Sequence, residues 1–307
     1  RPRLLVKRGF FLYKAAMPNP ALIPTFLREL LLQRTLPREP EPDLVMDDPE
    51  QVAAYSEAGR IDGIMASSYL FHSARISQVI QGCRTVLDLG CGPATQLAQI
   101  AQFNPETRFS GVDLSEAMLA DAQRHVQTLG LSNVDFRQGD ITRLEGIDDH
   151  GVDAVISTMA LHHLPTLHHL DDCLAEVRRV LKPGGGLYLT DFSRLKSLKS
   201  VIFFAYMNAQ HQPHLFSLDY ERSLRAAFLK EEFESLVRRH FPPEVRVEST
   251  FKVPFLVIIK TTDRPLPALL RQRIVAIYKT LKPRYRRDLN DIRTFFALGG
   301  LRNDPFA

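Results

Sequence analysis

Between residues 85 and 192, short apolar runs alternate with longer stretches whose apolar residues recur at helical spacing. TVLDLG (85–90), RFSGVDLS (108–115), NVDFRQGDI (133–141), GVDAVISTMALHHL (151–164) and LYLTDF (187–192) read as strands. ATQLAQIAQF (94–103), EAMLADAQRHVQTLG (116–130) and TLHHLDDCLAEVRRVL (166–181) read as helices. Ser115 caps the second helix, Gly130 closes it, and KPGGG stops the third. Such alternation requires right-handed βαβ crossovers and a mostly parallel sheet covered on both faces. Farther on, LKEEFESLVRRHF (229–241) predicts a helix, and VRVEST (245–250) with VPFLVIIKT (253–261) predicts a hairpin. The expected fold is therefore α/β: a doubly wound, mostly parallel seven-stranded sheet with an antiparallel last strand.

Three segments lie outside that rhythm. Residues 1–82 form an N-terminal extension and cap: short helices, a proline-rich linker PREPEPD (37–43), then a helical segment from Pro49 carrying Tyr55, Ile61, Ile64, Tyr69 and Phe71. Within the core, 83–262, the pattern loosens at 194–228, which reads as a substrate-side insertion. Residues 263–307 predict two more helices, with Pro283 between them. The stretch 264–287 holds eight Lys or Arg and no acid. Its Ile274, Ile277 and Leu281 stand at helical spacing, so the expectation is a docked helix with its charges outside and no nucleic-acid partner.

At 307 residues and 45% hydrophobic composition, the chain suits one large domain with extensions. No run reaches the roughly 18 apolar residues of a membrane span. The opening RPRLLVKRGFFLYKAAM has no small-residue cleavage site, so no signal peptide is expected. Cys83, Cys91 and Cys173 share no metal-ligand spacing, which suggests a reducing cytoplasm and no metal.

The carboxyl ends of the predicted strands carry a consistent series. After the first come Gly90, Cys91 and Gly92, with Asp88 two residues before the first glycine. Asp113 ends the second strand, Asp140 and Ile141 follow the third, and Ser157 and Thr158 end the fourth. Two bare glycines at a strand-to-helix junction invite a ligand to lie on the backbone. An acid about 20 residues later is placed to bind both hydroxyls of a ribose. Asp140 can face an adenine amino group, and Ile141 the ring edge. A dinucleotide fits poorly: the turn is G-C-G-P-A-T, without the third glycine, and Pro93 removes an amide. Asp88 would repel a phosphate but favour a cation, which points to S-adenosylmethionine.

VLDLGCGPA, GVDLSEAML, QGDI, DAVISTMALHHL and LKPGGGLYLTDF together resemble the class I S-adenosylmethionine-dependent methyltransferases of the UbiE-like, type 11 small-molecule kind. The resemblance runs strongly over 83–192 and more loosely to about 262, with Ala94 where the family's third glycine usually stands. It implies that Asp88 and the backbone of Gly90–Gly92 hold the methionine moiety, and that Asp113 binds the ribose. It also implies that Leu114 and Met118 lie near the adenine, with Asp140 and Ile141 at its edge.

On that reading, methyl transfer to a small-molecule acceptor is an in-line displacement that leaves S-adenosylhomocysteine. RNA or protein methylation, or a regulator without turnover, are the other readings. His162 or His163 can deprotonate an acceptor, or LHHL can simply pack against the next helix. His168 and His169 sit farther along and are expected in solvent. Asp191, ending the fifth strand, faces the acceptor side. Tyr55, Tyr69 and His72 from the cap, with Tyr206, His211 and Tyr220 from the insertion, are expected to line the acceptor pocket, His214 and Phe216 beside them.

Overall fold

The computed structural model describes residues 19–42, 48–59 and 62–307. Ile61 and the first 18 residues, including part of the expected N-terminal helices, lie outside the described residues. Seven strands form one sheet: β1 (Thr85–Leu89), β2 (Arg108–Asp113), β3 (Val134–Gln138), β4 (Val152–Thr158), β5 (Leu181–Phe192), β6 (Arg246–Ser249) and β7 (Leu256–Lys260). Their order is β3-β2-β1-β4-β5-β7-β6, and β7 alone runs against its neighbours. The order reverses beside β1, so the ends of β1 and β4 diverge into a crevice.

Eleven α-helices accompany the sheet among the described residues: α1 (Leu22–Leu31), α2 (Pro49–Ala58), α3 (Ala66–Val79), α4 (Thr95–Phe103), α5 (Glu116–Thr128), α6 (Leu167–Val180), α7 (Leu198–Tyr206), α8 (His214–Ala226), α9 (Lys230–His240), α10 (Ala268–Thr280) and α11 (Pro283–Leu298). Strand residues alternate between two apolar clusters. Val86, Phe109, Ile156 and Ile258 pack towards α3, α4, α10 and α11, whereas Leu87, Val112, Val155 and Val257 pack towards α6 and α9. That is the period-2 consequence of burying a parallel sheet on both faces.

Several local expectations change. The single helical run from Pro49 is two helices, α2 and α3. The loosened stretch 194–228 is built of α7 and α8, which join α1 in a third apolar cluster around Leu22, Val201, Phe204 and Leu224. β5 begins at Leu181 rather than 187, with an irregular register between Val152 and Ala154 of β4 that absorbs the KPGGG run. In α10, Ile274 is fully buried while Arg271 and Arg273 face solvent, and Leu281 just beyond it is nearly buried, as the docked-helix reading expects. No helix among the described residues is long and apolar enough to cross a membrane.

Candidate cofactor and acceptor site

The turn after β1 is held open by its backbone. Gly90 and Gly92 adopt φ of +66° and +52°, which glycine reaches without strain. A Cβ on Gly90 would fall 2.4 Å from that of Ala160, whereas one on Gly92 would meet only Tyr55, at 4.0 Å. Ala94, where the family's third glycine usually stands, takes φ +56° as the N-cap of α4. The amides of Gly90 and Cys91 donate to the Val112 carbonyl, at 2.8 and 3.1 Å, fixing the turn against β2. Cys91 contributes backbone only: its thiol packs over Gly111, and burial, then Asp113 and Asp88, raise its pKa.

Beside the turn, a cavity of about 250 Å³ is lined by Gly90, Gly92, Asp113, Leu114, Met118, Asp140 and Ile141. Asp113 accepts from the Gly92 amide (2.8 Å) and the Ser115 amide (3.0 Å). Burial nevertheless raises its pKa, so the carboxylate sits where further donors would be favourable. Asp140 accepts from the Thr142 amide and hydroxyl, at 2.8 and 2.7 Å, which orients its carboxylate at the cavity wall. Asp88 is 7% exposed and accepts no hydrogen bond from any described residue. Its pKa is pushed well up, by burial first and by Asp113 second. Asp88 is buried behind the glycine turn and is not on the cavity wall, so its carboxylate would act on a ligand there through charge, disfavouring a phosphate. Ser157 and Thr158 stay out of this cavity. The Ser157 hydroxyl is fully buried and donates to the Leu89 carbonyl at 2.8 Å, a purely structural bond across the β1–β4 pair. His169, expected in solvent, does reach the cavity rim.

A second cavity, about 260 Å³, adjoins the first; Tyr55, Met159, His163, Asp219 and Ser223 line both. Its other walls are mostly aromatic, with Phe26, Phe192, Phe204, Phe216, Tyr220 and Phe295 among them. Of the residues expected at the acceptor pocket, Tyr55, Phe216 and Tyr220 line this cavity. Five others expected there lie elsewhere. His72 is fully buried inside α3, its Nδ1 bonded to the Tyr188 hydroxyl at 2.8 Å, because that face of α3 turns to the sheet. Burial, then Arg75, lowers its pKa to about 3, so it packs as a neutral ring. Tyr206 is at the end of α7, close to Glu221, and His211 and His214 are exposed; none lines either cavity. Tyr69 is buried beside Tyr55, Thr95 and Asp88 rather than on a cavity wall. The C-terminal helix was not expected at the site at all, yet Asp288, Asp291, Ile292 and Phe295 of α11 line the aromatic cavity.

Where the two cavities meet, a short 3₁₀ turn, Leu161–His163, presents both histidines. Asp191 is fully buried behind them and reaches no acceptor. It takes the His162 amide at 3.0 Å, the His162 Nδ1–H at 2.7 Å and the Phe192 amide at 2.6 Å. The proline-rich linker, read as a mere connection, supplies the missing partner. Glu41 lies 2.6 Å from His163 Nδ1 and accepts from the Ser223 hydroxyl at 2.9 Å. Burial alone would raise the Glu41 pKa, but the His163 hydrogen bond and charge outweigh it and hold it near 2. The His163 pKa rises correspondingly, its burial penalty outweighed by Glu41. Arg38 anchors the same linker by donating to the carbonyls of Ala226, Pro165, His162 and Leu164, with its guanidinium 3.9 Å above the Phe228 ring. A pair of prolines flanking Glu39 and Glu41 carries no signal of that anchorage in sequence.

The sequence profile of the methyltransferase domain family matches residues 81–236, just over half of the chain. An arsenite methyltransferase of Aquipseudomonas alcaligenes is 31% identical over 169 residues, 53% of this chain and 44% of its own length. A demethylmenaquinone methyltransferase of Bacillus cytotoxicus is 34% identical over 121 residues, 39% of this chain and 49% of its own. The chain thus spans less than half the length of these curated relatives. The plantazolicin methyltransferase BpumL, solved with S-adenosylhomocysteine, shares the fold at 15% identity, with a TM-score of 0.50 over 70% of this chain and 91% of that one. With the glycine turn, the acids that follow it in strand order and a family match across all of them, the chain belongs to the class I S-adenosylmethionine-dependent methyltransferases.

Proposed function

We propose that the protein methylates a small, largely apolar molecule by in-line displacement. The observation that carries this is the junction of the two cavities: Gly90, Gly92, Asp113, Leu114, Met118, Asp140 and Ile141 line one, aromatic rings line the other, and Tyr55, Met159 and His163 border both. When bound, S-adenosylmethionine supplies a methyl group that its sulfonium makes electrophilic. The chain's own part is then alignment and exclusion of water. Asp113 holds the ribose, Asp88 favours the ammonium through charge, and Leu114, Met118 and Ile141 hold the adenine. The core 83–262 carries these residues, while the cap, the insertion 194–228 and the extension 263–307 close the acceptor side. A mostly apolar wall with a few polar groups suits an aromatic or hydrocarbon acceptor. Among the relatives, the demethylmenaquinone enzyme is the better guide than the arsenite enzyme. Cys83 and Cys173 are buried and no cysteine lines the aromatic cavity, so a thiol-seeking acceptor has nothing to bind.

The test is methyl transfer from labelled S-adenosylmethionine to a panel of quinols, phenols and fatty acids. Tyr220→Ala is expected to reduce transfer about tenfold or more while leaving affinity for S-adenosylhomocysteine within about twofold, the signature of lost acceptor contact. Tyr206→Ala and His211→Ala serve as controls that keep activity. Equal loss in the controls, or transfer only to a polymer such as RNA, would sink the reading.

A further inference from the structure

We infer that Glu41, His162 and His163 form a binding site for a divalent transition ion of the zinc type, placed at the junction of the two cavities. One ligand atom from each residue lies within 4.8 Å of the other two, close enough for a single ion to bridge them. Two imidazoles and one carboxylate are a donor set that favours borderline ions such as Zn²⁺ over Mg²⁺ or Ca²⁺, which prefer oxygen throughout.

The surroundings are arranged as a ligand shell requires. Asp191 takes three donors, two from the His162 backbone and ring and one from the Phe192 amide, so it acts as an acceptor towards His162 Nδ1–H. That fixes the tautomer and leaves the lone pair on His162 Nε2, which lies 4.0 Å from Glu41 Oε1. A carboxylate behind a ligating imidazole both orients the ring and strengthens it as a donor. Glu41 is held from its other side by the Ser223 hydroxyl, and its segment is tied down by Arg38. Asp113, Asp191 and Asp219 also surround His163, so the neighbourhood is richer in acids than its bases balance. Arg38 spends its donors on four backbone carbonyls, and Arg222 pairs with Asp219.

Binding replaces the proton that His163 and Glu41 share, and that proton leaves to solvent. Three protein ligands leave a position open, as catalytic rather than structural zinc sites do. His162 and His163 both line the aromatic cavity, so the open position faces it. An acceptor hydroxyl or thiol bound there would lose its proton more readily. This last consequence rests on the methyl-transfer reading; the metal site itself does not.

The test uses the full chain, stripped with chelator and dialysed against zinc chloride or cobalt chloride. About one ion per chain is expected by elemental analysis, with a visible Co²⁺ absorption band that His162→Ala, His163→Ala and Glu41→Ala each abolish. Circular dichroism checks that the variants fold. Asp191→Asn, a positioning change, should keep the ion but weaken its affinity roughly 10- to 100-fold. X-ray absorption of the zinc-loaded parent needs no variant: two imidazoles in a nitrogen and oxygen shell at about 2.0–2.1 Å are expected. Less than one ion per ten chains, a sulfur shell, or a cobalt band that survives all three substitutions overturns the site. Titration with S-adenosylhomocysteine in parallel keeps failure of the metal site distinct from failure of the methyl-transfer reading.

Discussion

At the scale of single residues, burial raises the pKa of Asp113 and Asp288 alike, and their partners set them apart. Asp113 already accepts two backbone amides, and its remaining lone pairs face the cofactor cavity. Asp113→Ala is therefore expected to weaken binding of S-adenosylhomocysteine by about 1.5–3 kcal/mol, the range for hydrogen bonds to a charged group, with calorimetry as the measure. Asp288 on α11 is shifted the same way, with a second acid beside it. Burial first, then Asp291, push its pKa from near 3.8 up to about 6. Between those values the native state holds a proton that the unfolded chain has released, so stability falls as pH rises through that window. Asp288→Asn should flatten that dependence: equal stability near pH 4 and a gain of about 1–2 kcal/mol at pH 7, discounted for partial solvent screening. Urea midpoints at the two pH values measure it.

Among elements, the one that departs furthest from its sequence is the proline-rich segment before α2. Proline excludes a helix there, as expected, but a chain without secondary structure can still be fixed by side chains. Arg38 does the fixing, with four carbonyl acceptors drawn from the 3₁₀ turn, its following loop and the end of α8. Arg38→Ala is expected to free the segment and withdraw Glu41 from His163. Arg38 itself touches neither cavity, but Glu41 and Pro42 of its segment line the cofactor cavity, so affinity for S-adenosylhomocysteine should fall several-fold while the KM for the acceptor rises about tenfold. Steady-state kinetics beside calorimetry separate the two. The insertion after β5 was hard to read for a different reason. Helix α7 (LKSVIFFAY) is apolar nearly all round, because it is packed between α1 and α8, and so shows little amphipathic period.

Across the whole molecule, α3 before the sheet and α11 after it are built into the same interior as the strands. Tyr285, Leu289 and Phe296 of α11 are buried in the cluster that also holds Phe71, Val86 and Tyr188. Phe296 stacks on Phe71 of α3 with ring centroids 5.5 Å apart. Phe296→Ala should cost about 3–5 kcal/mol of stability, the usual penalty for an aromatic cavity in a packed core. A thermal scan reads it directly. The same helix lends Asp288 and Phe295 to the aromatic cavity, so loss of its docking should weaken acceptor use as well.

Hydrophobic period and turn chemistry are local properties, and whatever they govern was determined by the sequence alone. The seven strands, the cap at Ser115, the glycine turn and the order of Asp88, Asp113 and Asp140 along the strand ends all follow from residues near one another in the chain. The acceptor side is different, because its walls come from segments far apart in sequence. Asn19 and Asp291, 272 positions apart, share one hydrogen bond, and Glu41 meets His163 only after the linker has crossed the mouth of the sheet. His72 and Tyr206 carry the right chemistry for a pocket, but the rotation of α3 and α7 about their axes turned them away from it. That rotation is set by which faces find apolar partners, a choice that only the assembled core could make.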